Sequence, residues 1–208
     1  MLRAATAAIA VVRPASKPLH PRGDVIGGTL SRSGATPATG VPWLDEPGRD
    51  RVQVRLSRAV GLPRFLPDIH GLAIRVPTPL GFGDVLLAST GTGRVTRFVL
   101  TATREPGGRS MTTLLPYQAP VGAVLLGAHE EAHGRWRLVV ASLRGPWRSF
   151  AVLELSDDRG DDAPVSFDPV RNTIPGLEVS DWVRRLREPA YRTARRTRAD
   201  EPPTDQVR

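Results

Sequence analysis

The sequence predicts a mostly β domain, an antiparallel barrel or sandwich followed by a short helical segment. Three observations carry that reading. Nine strand-like runs follow one another at roughly the 8–12-residue spacing of all-β domains. Twenty Pro and twenty Gly punctuate them, as short strands joined by tight turns require. After Asp157 the alternation stops, and apolar residues return with helical spacing only beyond Ser180.

In chain order, the N-terminus carries an apolar run from Ala4 to Val12 behind Arg3. That run is too short to cross a bilayer. It reads as a surface-docked helix, and a weak secretory signal with a small-residue cleavage site at Pro14–Ser16 is the alternative. The first strand is expected at Asp24–Ser31, and a Gly/Pro-rich loop with Trp43 fills 33–50. From Arg51 to Ser89 come three strand-like runs, the stretch around which the chain is organised. In the first, Val52, Val54 and Leu56 alternate with Arg51, Gln53, Arg55 and Ser57, giving one apolar and one charged face. The second, His70–Val76, puts Leu72, Ile74 and Val76 on one side, and the third, Asp84–Ala88, is apolar behind its acid. Arg94–Ala102 and Ser110–Tyr117 are expected to pair as a hairpin around Arg104–Arg109. Val121–Ala128, Arg135–Ser142 and Ser149–Leu155 complete the strands. The domain division is therefore 1–16 as an N-terminal apolar segment, 17–157 as the β unit, 158–198 as a polar connector with C-terminal helices, and 199–208 as a disordered tail. Ser180 caps the first helical run, Pro189 interrupts it, and a second run follows from Ala190.

Composition narrows the function. With no cysteine in 208 residues, disulfides, thiolate metal sites and cysteine nucleophiles are excluded. A net charge of +8 raises the question of nucleic acid. The arginines, however, are spread along the strands until the last quarter, and aromatics make up only 5%, too few for a base-stacking platform. No specific nucleic-acid binding and no membrane span are expected. The expected setting is the cytoplasm, with the secretory alternative above, and assembly into oligomers is left open.

Four pieces, in order, resemble the haem-dependent catalases and their small catalase-like relatives. Leu19–Gly23 (LHPRG) is similar to the segment that carries the distal histidine. Val54–Gly61 (VRLSRAVG) resembles the Val-Arg-Phe-Ser run of that family. Pro67–Val76 followed by Gly83–Ser89 resembles its acidic-Ile-Arg-Gly-Phe-Ala strand and the Asp-Leu strand after it. Arg187, Tyr191 and Arg195 match the spacing around the tyrosinate that ligates haem iron. The fold so implied is a catalase-like antiparallel β-barrel with a short C-terminal helical segment, and the implied cofactor is haem.

The resemblance also implies roles, each with a physical reason. Tyrosine ligates iron as phenolate, although its ordinary pKa is about 10. Arg187 and Arg195, one helical turn to either side of Tyr191, would favour the ionised form. His20 would move a proton between the two oxygens of a peroxide, with Ser57 fixing its tautomer. Arg55 would pair with a haem propionate, and Lys17 stands where the family has an arginine for the same purpose. Arg55 and Ser57, two apart on a strand, share a face, the one that hydropathy alone would send to solvent. Where the family has its distal asparagine this chain has Ala88 and Ser89, so Ser89 is the candidate donor. Leu56 replaces a phenylalanine, and Pro189 lies between Arg187 and Tyr191.

Plainer readings stand beside these: His20 as a loop residue, Tyr191 as a helix residue packing its ring, Arg55 and Ser57 as solvent-facing strand residues. The expected function is a haem protein acting as a peroxidase or weak catalase on hydrogen peroxide or organic hydroperoxides. A haem-free barrel working as a binding module is the alternative. His129-Glu130-Glu131-Ala132-His133 fits the H-E-x-x-H pattern of zinc hydrolases. It lies between two strand-like runs, so it reads as a hairpin, and a metal-dependent hydrolase ranks third.

Overall fold

The computed structural model describes residues 25–58, 66–105, 110–159 and 165–181. Ten strands form one sheet: β1 (Val25–Arg32), β2 (Gly48–Arg58), β3 (His70–Thr78), β4 (Gly81–Ser89), β5 (Met111–Thr112), β6 (Tyr117–Ala119), β7 (Gly122–Ala132), β8 (Arg135–Ser142), β9 (Arg148–Arg159) and β10 (Glu178–Val179). A single helical turn, α1 (Pro42–Asp45), interrupts the loop before β2. Every strand pairing is antiparallel, and β1 bonds to both β2 and β9 while β8 bonds to both β7 and β9. The ladder β1–β2–β3–β4–β5–β7–β8–β9 thus closes on itself as an eight-stranded barrel. β6 and β10 extend it beside β7.

Period-2 alternation decides which side chains fill the interior. Val52 and Val54 on β2, Leu72, Ile74 and Val76 on β3, and Val85 and Leu87 on β4 are all buried in one cluster. Val124 and Leu126, Trp136, Leu138 and Val140, and Leu30 and Leu153 complete it from the other strands. An eight-stranded barrel is just wide enough for side chains to fill. Here the buried cluster occupies that interior, and the opposite faces of the strands are turned outward.

Seven of the expected strands form close to their expected bounds, and two do not. Arg94–Ala102 is no strand: it holds a 3₁₀ turn at Thr96–Phe98, with Thr90 bridging Leu100 and Asp68 bridging Thr103. Its burial inverts its hydropathy. Arg97 is 3% exposed, whereas Val95 is 75% exposed. The Arg97 guanidinium donates to the carbonyls of Gly93, Ser142 and Gly145 and lies 4.6 Å from the Trp147 ring. Fork-like donors meeting fixed carbonyls and an indole face offset the cost of burying the charge. Ser110–Tyr117 breaks into β5 and β6, because Pro116 has no N–H for the ladder and Leu114 takes φ 59°.

The stretch 165–177, expected as a polar connector, packs onto the barrel as a strap. Phe167, Ile174 and Leu177 are buried, and β10 follows directly against β6. Among the described residues no helix is long and apolar enough to cross a membrane.

Candidate functional site

The outer face of β2–β4 gathers the chemistry that the described residues offer. Register places Arg55, Ala73 and Leu86 in one cross-strand row and Ser57, Gly71 and Ala88 in the next. Directly opposed residues of an antiparallel pair share a face, so Arg55 and Ser57 stand together on the outside. The second row is nearly bare. A Cβ at Gly71 would sit 2.8 Å from the Ser57 hydroxyl oxygen, so glycine leaves the space that the hydroxyl occupies. Ala88 adds one methyl, and Thr112 of β5 continues the row. The result is a flat, half-buried floor with Ser57 and Arg55 along one edge.

The strap closes another edge. Asp84 on β4 accepts two parallel bonds from Arg75 on β3, at 2.7 and 2.8 Å, and its side chain is fully buried. The same carboxylate accepts from the Asp168 backbone N–H at 2.8 Å and from the Asn172 amide at 2.7 Å. Arg75 also donates to the Ser166 carbonyl at 2.7 Å. Charge-assisted, bidentate bonds of this kind hold a segment in register as well as in place. They set the Phe167 ring beside two arginines of the face, 5.0 Å from Arg55 and 5.1 Å from Arg75.

Ser89 is not on this face. Its neighbour Ala88 is, and by alternation Ser89 points to the opposite side, paired with Met111. It is fully buried, donating to the Thr101 carbonyl at 2.7 Å and accepting from the His70 N–H at 3.1 Å. The expected donor role for Ser89 is therefore corrected: its hydroxyl is spent on backbone, and the residue beside Ser57 carries no donor. Lys17, His20, Arg187, Tyr191 and Arg195 lie outside the described residues.

Sequence reasoning missed the strap. Asp84 offers a signal, a lone acid opening an apolar strand, and Phe167 offers another, a lone aromatic in a polar connector. Their meeting is not legible from either stretch alone. His70 opens β3. It is 2% exposed, its Nε2 lies 3.1 Å from the Thr103 carbonyl, and its Nδ1 has no hydrogen-bond partner among the described residues. Burial, offset by the Thr103 bond, holds its pKa below the ordinary histidine value.

The His-Glu-Glu-Ala-His run is a β-hairpin, as its flanks foretold. His129 to Ala132 end β7, and β8 starts at Arg135. The His129 Nδ1 is 2.6 Å from the Ser110 hydroxyl, and Glu131 pairs with Arg135 and Arg137. Among the described residues no group of three or more His, Cys, Asp or Glu could hold a metal ion.

No protein-family model and no curated protein matches the sequence. Solved structures do match in shape. A fungal catalase superposes with a TM-score of 0.62 at 15% identity, over 94% of this chain and 61% of its own. A bacterial catalase gives 0.62 at 13% identity, over 99% and 63%. Catalase A from Saccharomyces cerevisiae gives 0.60 at 12% identity, over 94% and 63%. This chain thus spans about three-fifths of the length of those enzymes. What the likeness establishes is architecture: the chain folds as a catalase-like antiparallel barrel.

Proposed function

We propose that the protein binds haem on the outer face of β2–β4 and acts as a peroxidase or weak catalase on hydrogen peroxide or an organic hydroperoxide. One observation carries the reading. Arg55 and Ser57 share the outer face beside a floor kept flat by Gly71 and Ala88, and a Cβ at Gly71 would crowd the Ser57 hydroxyl. A floor of that kind fits a planar group with carboxylates on its rim. Arg55 would bind a propionate, with Lys17 as a second cation. Ser57 would orient the His20 imidazole, and His20 would take a proton from one peroxide oxygen and return it to the other. Tyr191, favoured as phenolate by Arg187 and Arg195, would be the residue that holds the iron. Haem supplies the redox-active iron when bound.

Ala88 favours a second reading. Among the described residues the row beside Ser57 holds Gly71 and Ala88, neither with an amide, and the methyl of Ala88 can donate nothing to a bound peroxide. A barrel of the same fold that binds a small ligand or partner without haem chemistry would look alike there. An absorption spectrum separates the two. The haem reading expects a Soret band after purification or hemin addition, changed or abolished by Tyr191→Phe. A protein that stays colourless with added hemin supports the second reading instead.

A further inference from the structure

We propose that Phe167 is a positioning residue: from the strap it fixes the Arg55 guanidinium beside the floor, and so sets a preference for a flat ligand bearing carboxylates at its rim. The proposal rests on the reading of the face as a haem site and adds a specificity determinant to it.

The chain of constraint starts at Asp84. Its buried carboxylate holds Arg75 by two bonds and the strap by the Asp168 N–H and the Asn172 amide. A backbone bond from the Asp84 N–H to the Asn172 carbonyl, 2.9 Å, adds a further tie. Phe167 precedes Asp168, so its ring is fixed where the backbone is pinned. Arg75 is itself immobilised, with Phe82 4.1 Å and Phe167 5.1 Å from its guanidinium carbon. Phe167 is 3% exposed, which leaves its ring little freedom to turn away. Arg55, 5.0 Å from the same ring, then rests against a surface that cannot yield.

Such a contact matters because an arginine side chain is long and flexible. Left unsupported, it loses rotamer freedom when it binds an anion, and a cation held over an aromatic face has already lost it. A planar, bidentate donor aimed in advance also discriminates geometry as well as charge. Arg75 cannot take over the task, because Asp84 occupies its fork.

The test compares hemin with hemin dimethyl ester, whose propionates carry no charge, by Soret titration of the full chain. The wild type is expected to prefer hemin by roughly tenfold, the scale of one charge-assisted bond. Arg55→Gln lowers the preference to the part that Lys17 carries. Phe167→Leu lowers it by threefold or more, with ester affinity unchanged, and Phe167→Tyr, which keeps the ring face, restores it. In the Arg55→Gln background Phe167→Leu has no further effect on the ratio. The proposal is overturned if Phe167→Leu leaves the ratio intact, or if it weakens both ligands equally, which would make the ring a wall and nothing more. Should neither porphyrin bind, the haem reading fails, and the positioning claim is judged separately on the ligand-free protein by NMR. An upfield ring-current shift of the Arg55 side-chain protons, lost in Phe167→Leu and kept in Phe167→Tyr, supports the contact. Unshifted Arg55 protons in the wild type overturn it.

Discussion

At Gly71 a single absent methyl keeps the outer face usable. A Cβ there would meet the Ser57 oxygen at 2.8 Å, but that oxygen terminates a small side chain that can rotate away. Gly71→Ala is therefore expected to change stability by less than about 1 kcal/mol, since alanine also restricts the unfolded chain. Hemin uptake, in contrast, should fall several-fold as the floor is filled and the hydroxyl displaced. Thermal melting and Soret titration on one preparation check both halves. A variant that binds hemin normally would place the ligand elsewhere. His70 makes a different prediction. Its pKa is lowered in the folded state, chiefly by burial, with Arg58 adding to the effect and the Thr103 bond and Asp68 opposing it. Below its unfolded value, about 6.5, the unfolded chain takes up the proton more readily than the folded one. Stability is thus full above that pH and is lost as pH falls through the window down to the folded value. His70→Gln should flatten the decline in urea-measured stability between about pH 7 and pH 5. His129, shifted the same way by burial, leaves a remaining slope. At this scale the sequence was informative about Arg55 and Ser57, because two-residue spacing on a strand dictates a common face. It misled at Ser89, where the odd-numbered slip from Ala88 turned the hydroxyl to the other side of the sheet.

The strap, 165–177, shows an element whose place depends on one acid. Asp84 bonds to Arg75, to the Asp168 backbone and to Asn172 at once. Asp84→Asn keeps the shape but removes the charge that holds Arg75. A cost of roughly 3 kcal/mol is expected, at the low end for breaking a buried pair, since Arg75 is 16% exposed. Limited proteolysis should then cut within the strap before the barrel strands. Equal protection of strap and strands in the variant would mean that Phe167, Ile174 and Leu177 anchor the segment without the acid. The same scale explains which elements the sequence disclosed. β2 and β3 alternate and form as expected, and β7 and β8 form where their apolar runs place them. Arg94–Ala102 is as rich in strand-forming residues, yet its burial runs against its hydropathy: Val95 is exposed and Arg97 is buried on the Ser142 and Gly145 carbonyls, partners far off in the chain. Local pattern carries no record of such distant acceptors, and the strap's docking is hidden for the same reason.

For the whole molecule, closure is the decisive event. β1 and β9 lie at opposite ends of the strand sequence, yet Leu30 stands opposite Leu153 and Thr29 opposite Glu154. The strand alternation alone permits a sandwich as readily as a barrel, so closure at this seam was legible only through the resemblance to catalases and not from the pattern of any strand. Non-local pairing of this kind requires a large loop to close before any contact compensates for it, which slows folding without weakening the product. Once closed, the barrel has no free edge along β1 or β9 to fray from, and Leu30 and Leu153 join the same buried cluster as Leu72 and Ile74. Native-state hydrogen exchange should therefore give amides of β1 and β9 around Leu30 and Leu153 an opening free energy equal to that of β2–β4. Leu30→Ala, which deletes a fully buried side chain at the seam, should lower both groups together by about 2–5 kcal/mol. If β1 and β9 instead exchange by a cheaper opening, leaving β2–β4 protected, the seam is a gate in an otherwise stable sheet. The outer face on β2–β4 would then survive opening of the barrel, and Arg55 and Ser57 would keep their geometry on a curved half-barrel alone.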